Sequence, residues 1–200
     1  MKKAVLTILL LLVAGFVVYW LGCKGKDKPA TEEEKQQPLS IGANTDVFNT
    51  SFRNLLTAYY GVKDALFAGD TAKASAAALK LATASDSLKL DQIQGDSTGM
   101  IRETAKIYTG TIVGSATALA GETSLENKRK EFANTADALW TLIRTVKYSG
   151  EKLYWEFCPM AFNNKGAYWV SDDAAIKNPY FGSQMPTCGN VEDSVDYSKK

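Results

Sequence analysis

Two thiols and two thioethers occur within 31 residues near the end of the chain, in Cys158-Pro159-Met160 and Met185-Pro186-Thr187-Cys188. Pro159 pushes Cys158 out of helical geometry. In an extended stretch, residues two apart point the same way, so Cys158 and Met160 are expected to share a face. A turn at Pro186 would fold Met185 back toward Cys188. Sulfur-only ligands suit a soft ion, and copper(I) or silver(I) accepts Cys and Met where zinc would want Cys, His or carboxylate. The same residues support a second reading. Two cysteines in an exported domain commonly form a disulfide, and closing this loop of roughly 30 residues would contribute about 3.5 kcal/mol in the chain-entropy account. Met160 and Met185 would then be gap-fillers against aromatic rings. Both readings require Cys158 and Cys188 to be neighbours, with α-carbons within about 7 Å for a disulfide.

The rest of the composition narrows the chemistry. The chain has 200 residues, 46% hydrophobic and 22% charged, enough for one compact domain with its own core. Lys and Arg total 23 against 22 Asp and Glu, so a net charge of +1 leaves no broad basic surface for nucleic acid. There is no histidine, which removes Ser-His and Cys-His nucleophiles, His general bases and imidazole-ligated zinc. The acidic pairs Asp172-Asp173 and Glu192-Asp193 have no evident partner base and read as surface or helix-capping residues. No catalytic residue is assigned, and the chain is not expected to be an enzyme.

At the other end, Lys2 and Lys3 precede an uncharged, mainly apolar run from Ala4 to Gly22, 19 residues long. As a helix it would reach about 28 Å, close to the roughly 30 Å hydrocarbon core of a bilayer. Its length and Tyr19-Trp20 fit an uncleaved anchor. Leu21-Gly22-Cys23 resembles the end of a bacterial lipobox, in which Cys23 would be lipidated, although Trp20 stands where Leu is usual. Anchor and lipoprotein signal over residues 1–23 both remain open. Lys24, Lys26 and Lys28 pull against the orientation that Lys2 and Lys3 would set. Residues 24–45 are rich in Lys, Glu and Gln, with Pro29 and Pro38, and read as a flexible polar tether of up to about 70 Å. The folded domain is expected over residues 46–200.

Positioning the sulfur residues falls to what lies between. Phe48, Phe52, Leu55, Tyr59, Val62 and Leu66 recur at helical spacing, with Gly69-Asp70 as a stop and the next N-cap. Ala74, Ala77, Ala78, Leu81, Ser85 and Leu88 repeat the period on an alanine-rich segment. Ile101, Ala105, Tyr108, Ile112, Ser115 and Leu119 form a third stripe, with Gly110 and Gly114 allowing close packing in a bundle. Thr123-Ser124-Leu125-Glu126 fits a capping box for a fourth helix along Phe132, Ala136, Leu139, Ile143 and Val146, whose Lys128-Arg129-Lys130-Glu131 run is a solvated face. These stripes predict an all-α fold, an antiparallel four-helix bundle, followed over residues 151–200 by an aromatic-rich and mostly irregular tail. Asn163-Asn164-Lys165-Gly166 predicts a small β-hairpin there and Asn178-Pro179-Tyr180-Phe181-Gly182 a second turn, with the aromatics packing the tail on the helices.

Tyr154-Trp155-Glu156-Phe157-Cys158-Pro159-Met160-Ala161-Phe162, Gly166-Ala167-Tyr168-Trp169, and Asn178-Pro179-Tyr180-Phe181-Gly182 through Met185 and Cys188-Gly189 resemble a bacterial family of domains of unknown function, number 3347. That family occurs alone or joined to periplasmic adaptor subunits of copper/silver efflux systems, and the resemblance covers roughly Phe48 to Glu192. It implies a helical periplasmic domain that binds heavy metal, with Cys158, Met160, Met185 and Cys188 on the motif positions. It also implies export to the bacterial cell envelope, with the N-terminus in the membrane and an efflux adaptor or metal chaperone as partner. The competing expectation is a non-catalytic structural or adaptor domain with a Cys158–Cys188 disulfide and a protein partner.

Overall fold

The computed structural model describes residues 44–198. The apolar run, Cys23 and all but the last two residues of the tether lie outside the described residues. Within them, no helix is long and apolar enough to cross a membrane.

Four long helices come first: α1 (Asp46–Ala68), α2 (Thr71–Asp86), α3 (Met100–Gly121) and α4 (Leu125–Val146). Each begins where the sequence can satisfy the free N–H groups of a first turn. The Thr45 hydroxyl accepts from Phe48 N and the Asp70 carboxylate from Lys73 N. Gly99, with φ of 73°, offers α3 no side-chain cap, and Asp96 substitutes by accepting from Ile101 N and Arg102 N. For α4 the cap is Ser124, which accepts from Asn127 N. The capping box expected from Thr123 to Glu126 is thus displaced by one residue.

Consecutive helices pack on one another along the stripes the sequence displays. Phe48, Phe52, Leu55, Tyr59, Val62 and Leu66 of α1 are fully buried, as are Phe132, Ala136, Leu139, Ile143 and Val146 of α4. On α3 the buried line runs through Thr109 and Ala116, with Tyr108 and Ser115 only half-buried. The glycine pair on that helix corrects the sequence reading. Gly110 and Gly114 are exposed, and a Cβ added to either would meet nothing within 4 Å, so they mediate no close helix contact.

The charged run on α4 is only in part a solvated face, with Lys130 exposed. Lys128 is 1% exposed and donates to Ser75 Oγ at 2.6 Å and Leu119 O at 2.8 Å, closing the last turn of α3. Arg129 is half-buried and donates to Pro179 O and Leu66 O. Both long side chains lie along the helix and spend their charged ends on backbone carbonyls, which charge counting does not reveal.

The tail departs from the all-α, mostly irregular expectation. Strands β1 (Leu153–Cys158), β2 (Ala167–Ser171) and β3 (Asn190–Val195) form an antiparallel sheet in the order β2-β1-β3. The hairpin is present, but its first strand is Leu153–Cys158, paired from Tyr154↔Ser171 to Cys158↔Ala167. β3 is exposed along nearly its whole length and polar. It lacks the alternation that marks a half-buried strand, and its place is set by backbone pairing to β1. Aromatics dock the sheet: Trp140 of α4 stacks on Trp155 at 5.1 Å, and Trp155 on Tyr168 at 4.9 Å. Tyr59 of α1 accepts from Val170 N at 3.0 Å.

Candidate functional site

Cys158 is the last residue of β1 and is fully buried. Pro159 ends the strand there, because it offers no N–H to the ladder. The chain then makes one tight turn, Ala161–Asn164, and Phe162, Asn163 and Asn164 follow one another in the left-handed region, with φ of 51°, 60° and 64°. The shared strand face expected for Cys158 and Met160 is therefore not formed. Met160 has φ −87° and ψ −10° and is 46% exposed, while Cys158 faces inward.

Cys188 comes from the loop before β3. Its N–H donates to Met185 O at 3.3 Å, the turn expected across Pro186. Asn178, fully buried, holds this loop from below: its N–H donates to Pro186 O at 3.0 Å and its side-chain amide to Cys188 O at 2.7 Å. The Asn178 side-chain oxygen accepts from Tyr180 N and Phe181 N, which makes the Asn178-Pro179 turn. Gly189 has φ of 139°, and a Cβ there would stand 2.6 Å from Phe157 O. Only glycine lets the segment that follows Cys188 approach β1 so closely.

These constraints bring Cys158 Sγ and Cys188 Sγ to 3.6 Å, both as free thiols. The hydrogen-bonded contact with Cys158, and then burial, push the Cys188 thiol up from its ordinary value. Cys188 is thus not an activated thiolate nucleophile. Met185 is half-buried at the edge of the same loop. Among the described residues, no group of three or more His, Cys, Asp or Glu side chains comes together to hold a metal ion. The soft donor set is two thiols, with one thioether on each of the two segments that carry them.

A second polar group lies further along the sheet, and sequence reasoning missed it. Glu156 is fully buried, and neither carboxylate oxygen has a hydrogen-bond partner. It is registered opposite Trp169, whose indole N–H reaches no well-aligned acceptor but helps to draw the Glu156 carboxyl down. Burial pushes the Glu156 carboxyl up to about 7, against the pull of the nearby Lys63 ammonium. Lys63, 5% exposed on α1, donates to Ser171 Oγ at 3.2 Å and lies 3.9 Å from Asp172, and burial lowers its pKa. The period-two alternation of Leu153–Cys158 puts Glu156 on the same strand face as Cys158, the one signal that could have marked it as buried. Asp172 and Asp173 are exposed; the backbone N–H of Asp173 donates to Ser171 Oγ, and its carboxylate accepts from Ala175 N.

No curated protein and no solved structure matches the chain. A family model, described as Protein of unknown function (DUF3347), matches residues 55–150. The matched span begins within α1, takes in the other three long helices, and ends before the strand that carries Cys158. Over residues 55–150, just under half of its length, the chain is similar to the DUF3347 family.

Proposed function

We propose that the protein binds a soft monovalent ion, copper(I) or silver(I), between Cys158 and Cys188, with Met160 and Met185 completing the donor set. The observation that carries this reading is the 3.6 Å separation of two thiols delivered by separate segments. At a metal–thiolate distance of about 2.3 Å, an ion between sulfurs so placed subtends an angle of about 100°. A linear two-thiolate site would need them about 4.6 Å apart. The bent arrangement leaves room for further ligands, and thioethers are the soft donors at hand. Cys158 would act as the buried, fixed ligand and Cys188, on the surface loop, as the ligand met first. An ion so held displaces the thiol protons, so uptake is expected to weaken as pH falls.

The remaining parts of the proposal follow the sequence. The four helices serve as an antiparallel bundle that carries the sheet, residues 24–45 act as a tether, and residues 1–23 attach the chain to a membrane of the bacterial cell envelope. The function is non-catalytic, capture or hand-over of the ion as an accessory to efflux.

A competition titration tests the site. The reduced Cys23→Ser chain is expected to take one equivalent of copper(I) from a chromophoric chelator. Cys158→Ser should weaken capture by about a hundredfold, and the Met160→Leu/Met185→Leu double variant by about tenfold. Capture unchanged by loss of Cys158 overturns the site. A chain isolated with Cys158 bonded to Cys188 and unable to take the ion after reduction replaces it with the structural, disulfide-locked adaptor.

A further inference from the structure

A cleft of about 570 Å³ separates the start of α4 from the turn that follows β1. Neither thiol lines it, although Met160, proposed above as a donor, does; ligand binding here rests on Arg129 and the carboxamides and needs no metal.

Arg129 lines this cleft in an unusual state. Its Nε–H donates to Pro179 O at 2.9 Å and one Nη2–H to Leu66 O at 3.3 Å, so two backbone carbonyls fix the plane of the guanidinium. Among the described residues it forms no ion pair. Glu126 of the same helix also lines the cleft but is engaged by Lys130 at 2.9 Å. A guanidinium has five N–H groups, and the protein uses two. The rest of the fork is held in one orientation beside an open space, with its charge uncompensated.

The opposite wall is the left-handed turn. Three consecutive non-glycine residues at positive φ cost about 1–3 kcal/mol each, and one of them is an aromatic. Such backbone is held only where its surroundings over-determine it, and here it carries Asn163 and Asn164, which line the cleft together with Gln184. Phe162 and Phe181 add half-buried ring surface.

We propose that this cleft binds a carboxylate attached to an amide-bearing body, the chemistry of an N-acylated amino acid or the C-terminus of a short peptide. The fixed fork matches a carboxylate in two parallel hydrogen bonds. The three carboxamides match peptide N–H and C=O groups, and the rings accept an apolar side chain. Glu126 at the rim disfavours a dianion such as phosphate. The volume suits a ligand of one to three residues.

The test uses the full chain, reduced and metal-free, titrated by NMR or calorimetry with four probes: N-acetylphenylalanine, its carboxamide, the acetylated tripeptide Ala-Ala-Phe, and inorganic phosphate. The free acids are expected to bind at least about tenfold tighter than the carboxamide and tighter than phosphate, and Arg129→Lys to erase that preference. A tripeptide that binds better than the single residue identifies a peptide terminus as the ligand, and the reverse order a free acyl amino acid. Acid and carboxamide binding alike, phosphate binding best, or no saturation by any probe at about 10 mM overturns the proposal. The acid-against-amide comparison is made on the unaltered chain, so it decides even if Arg129→Lys fails to fold.

Discussion

Asn178 donates its side-chain amide to the Cys188 carbonyl across 2.7 Å from a fully buried position, so the residue that makes the tail's second turn also fixes one of the two thiols. Removing it leaves the Cys188 carbonyl and the Tyr180 N–H without their partner. Asn178→Ala is expected to cost about 1–3 kcal/mol in a urea unfolding curve. It should also slow oxidant-driven joining of Cys158 to Cys188, followed by non-reducing mass spectrometry. An unchanged joining rate would separate the turn from the placement of the thiol.

Gly189→Ala probes the same placement from the backbone. A Cβ 2.6 Å from Phe157 O at φ of 139° forces β3 away from β1. The variant is expected to lose the proximity of Cys158 and Cys188 while the helices, whose core does not include Gly189, retain their far-UV circular dichroism. Joining of the two cysteines at the wild-type rate would contradict it.

Lys128 holds the end of α3 to α2 and α4 through Ser75 and Leu119. Lys128→Met keeps the aliphatic stem but orphans a buried carbonyl, and should destabilise by about 1–3 kcal/mol. A surface lysine would give a change within about 0.5 kcal/mol. Replacing Leu139 or Ile143 of α4 by alanine, both fully buried, should cost about 2–5 kcal/mol.

Glu156 gives the fold a pH dependence of definite sign. Its carboxyl titrates near 7 when folded, against an ordinary 4.5. Between those values the folded chain keeps a proton that the unfolded chain releases. This contribution to stability is therefore present at low pH and is lost as pH rises through the window, by on the order of 2 kcal/mol. Urea midpoints for Glu156→Gln should vary less between about pH 5 and pH 8 than those of the wild type, with the variant the more stable at the upper end. Parallel midpoint curves would show that another group carries the dependence.

The sequence displayed the helices because each buries a stripe of 3.6-residue period, and α1 and α4 match it residue for residue. It hid β3, since Asn190–Val195 is exposed and polar and has only backbone bonds to specify it. It misled at Gly110 and Gly114, where small residues at helical spacing face solvent. Lys128 and Arg129 look like surface charge until the carbonyls they reach are known. At the site, the nearness of Cys158 and Cys188 was what both the soft-ion and the disulfide readings required, and the structure brings the two sulfurs to 3.6 Å. The Asn178 clamp, the exposure of Met160 and the buried Glu156 all depend on how β1 ends and what it faces, which spacing alone does not carry.

The central claim is that Cys158 and Cys188 form one soft-ion site. X-ray absorption at the copper edge, on the reduced Cys23→Ser chain loaded with one equivalent of copper(I), measures its ligands directly. The account expects only sulfur in the first shell, three or four atoms near about 2.3 Å, falling by the thioether contribution in Met160→Leu/Met185→Leu. A shell dominated by nitrogen or oxygen, or a sulfur count unchanged in Cys158→Ser, would contradict it.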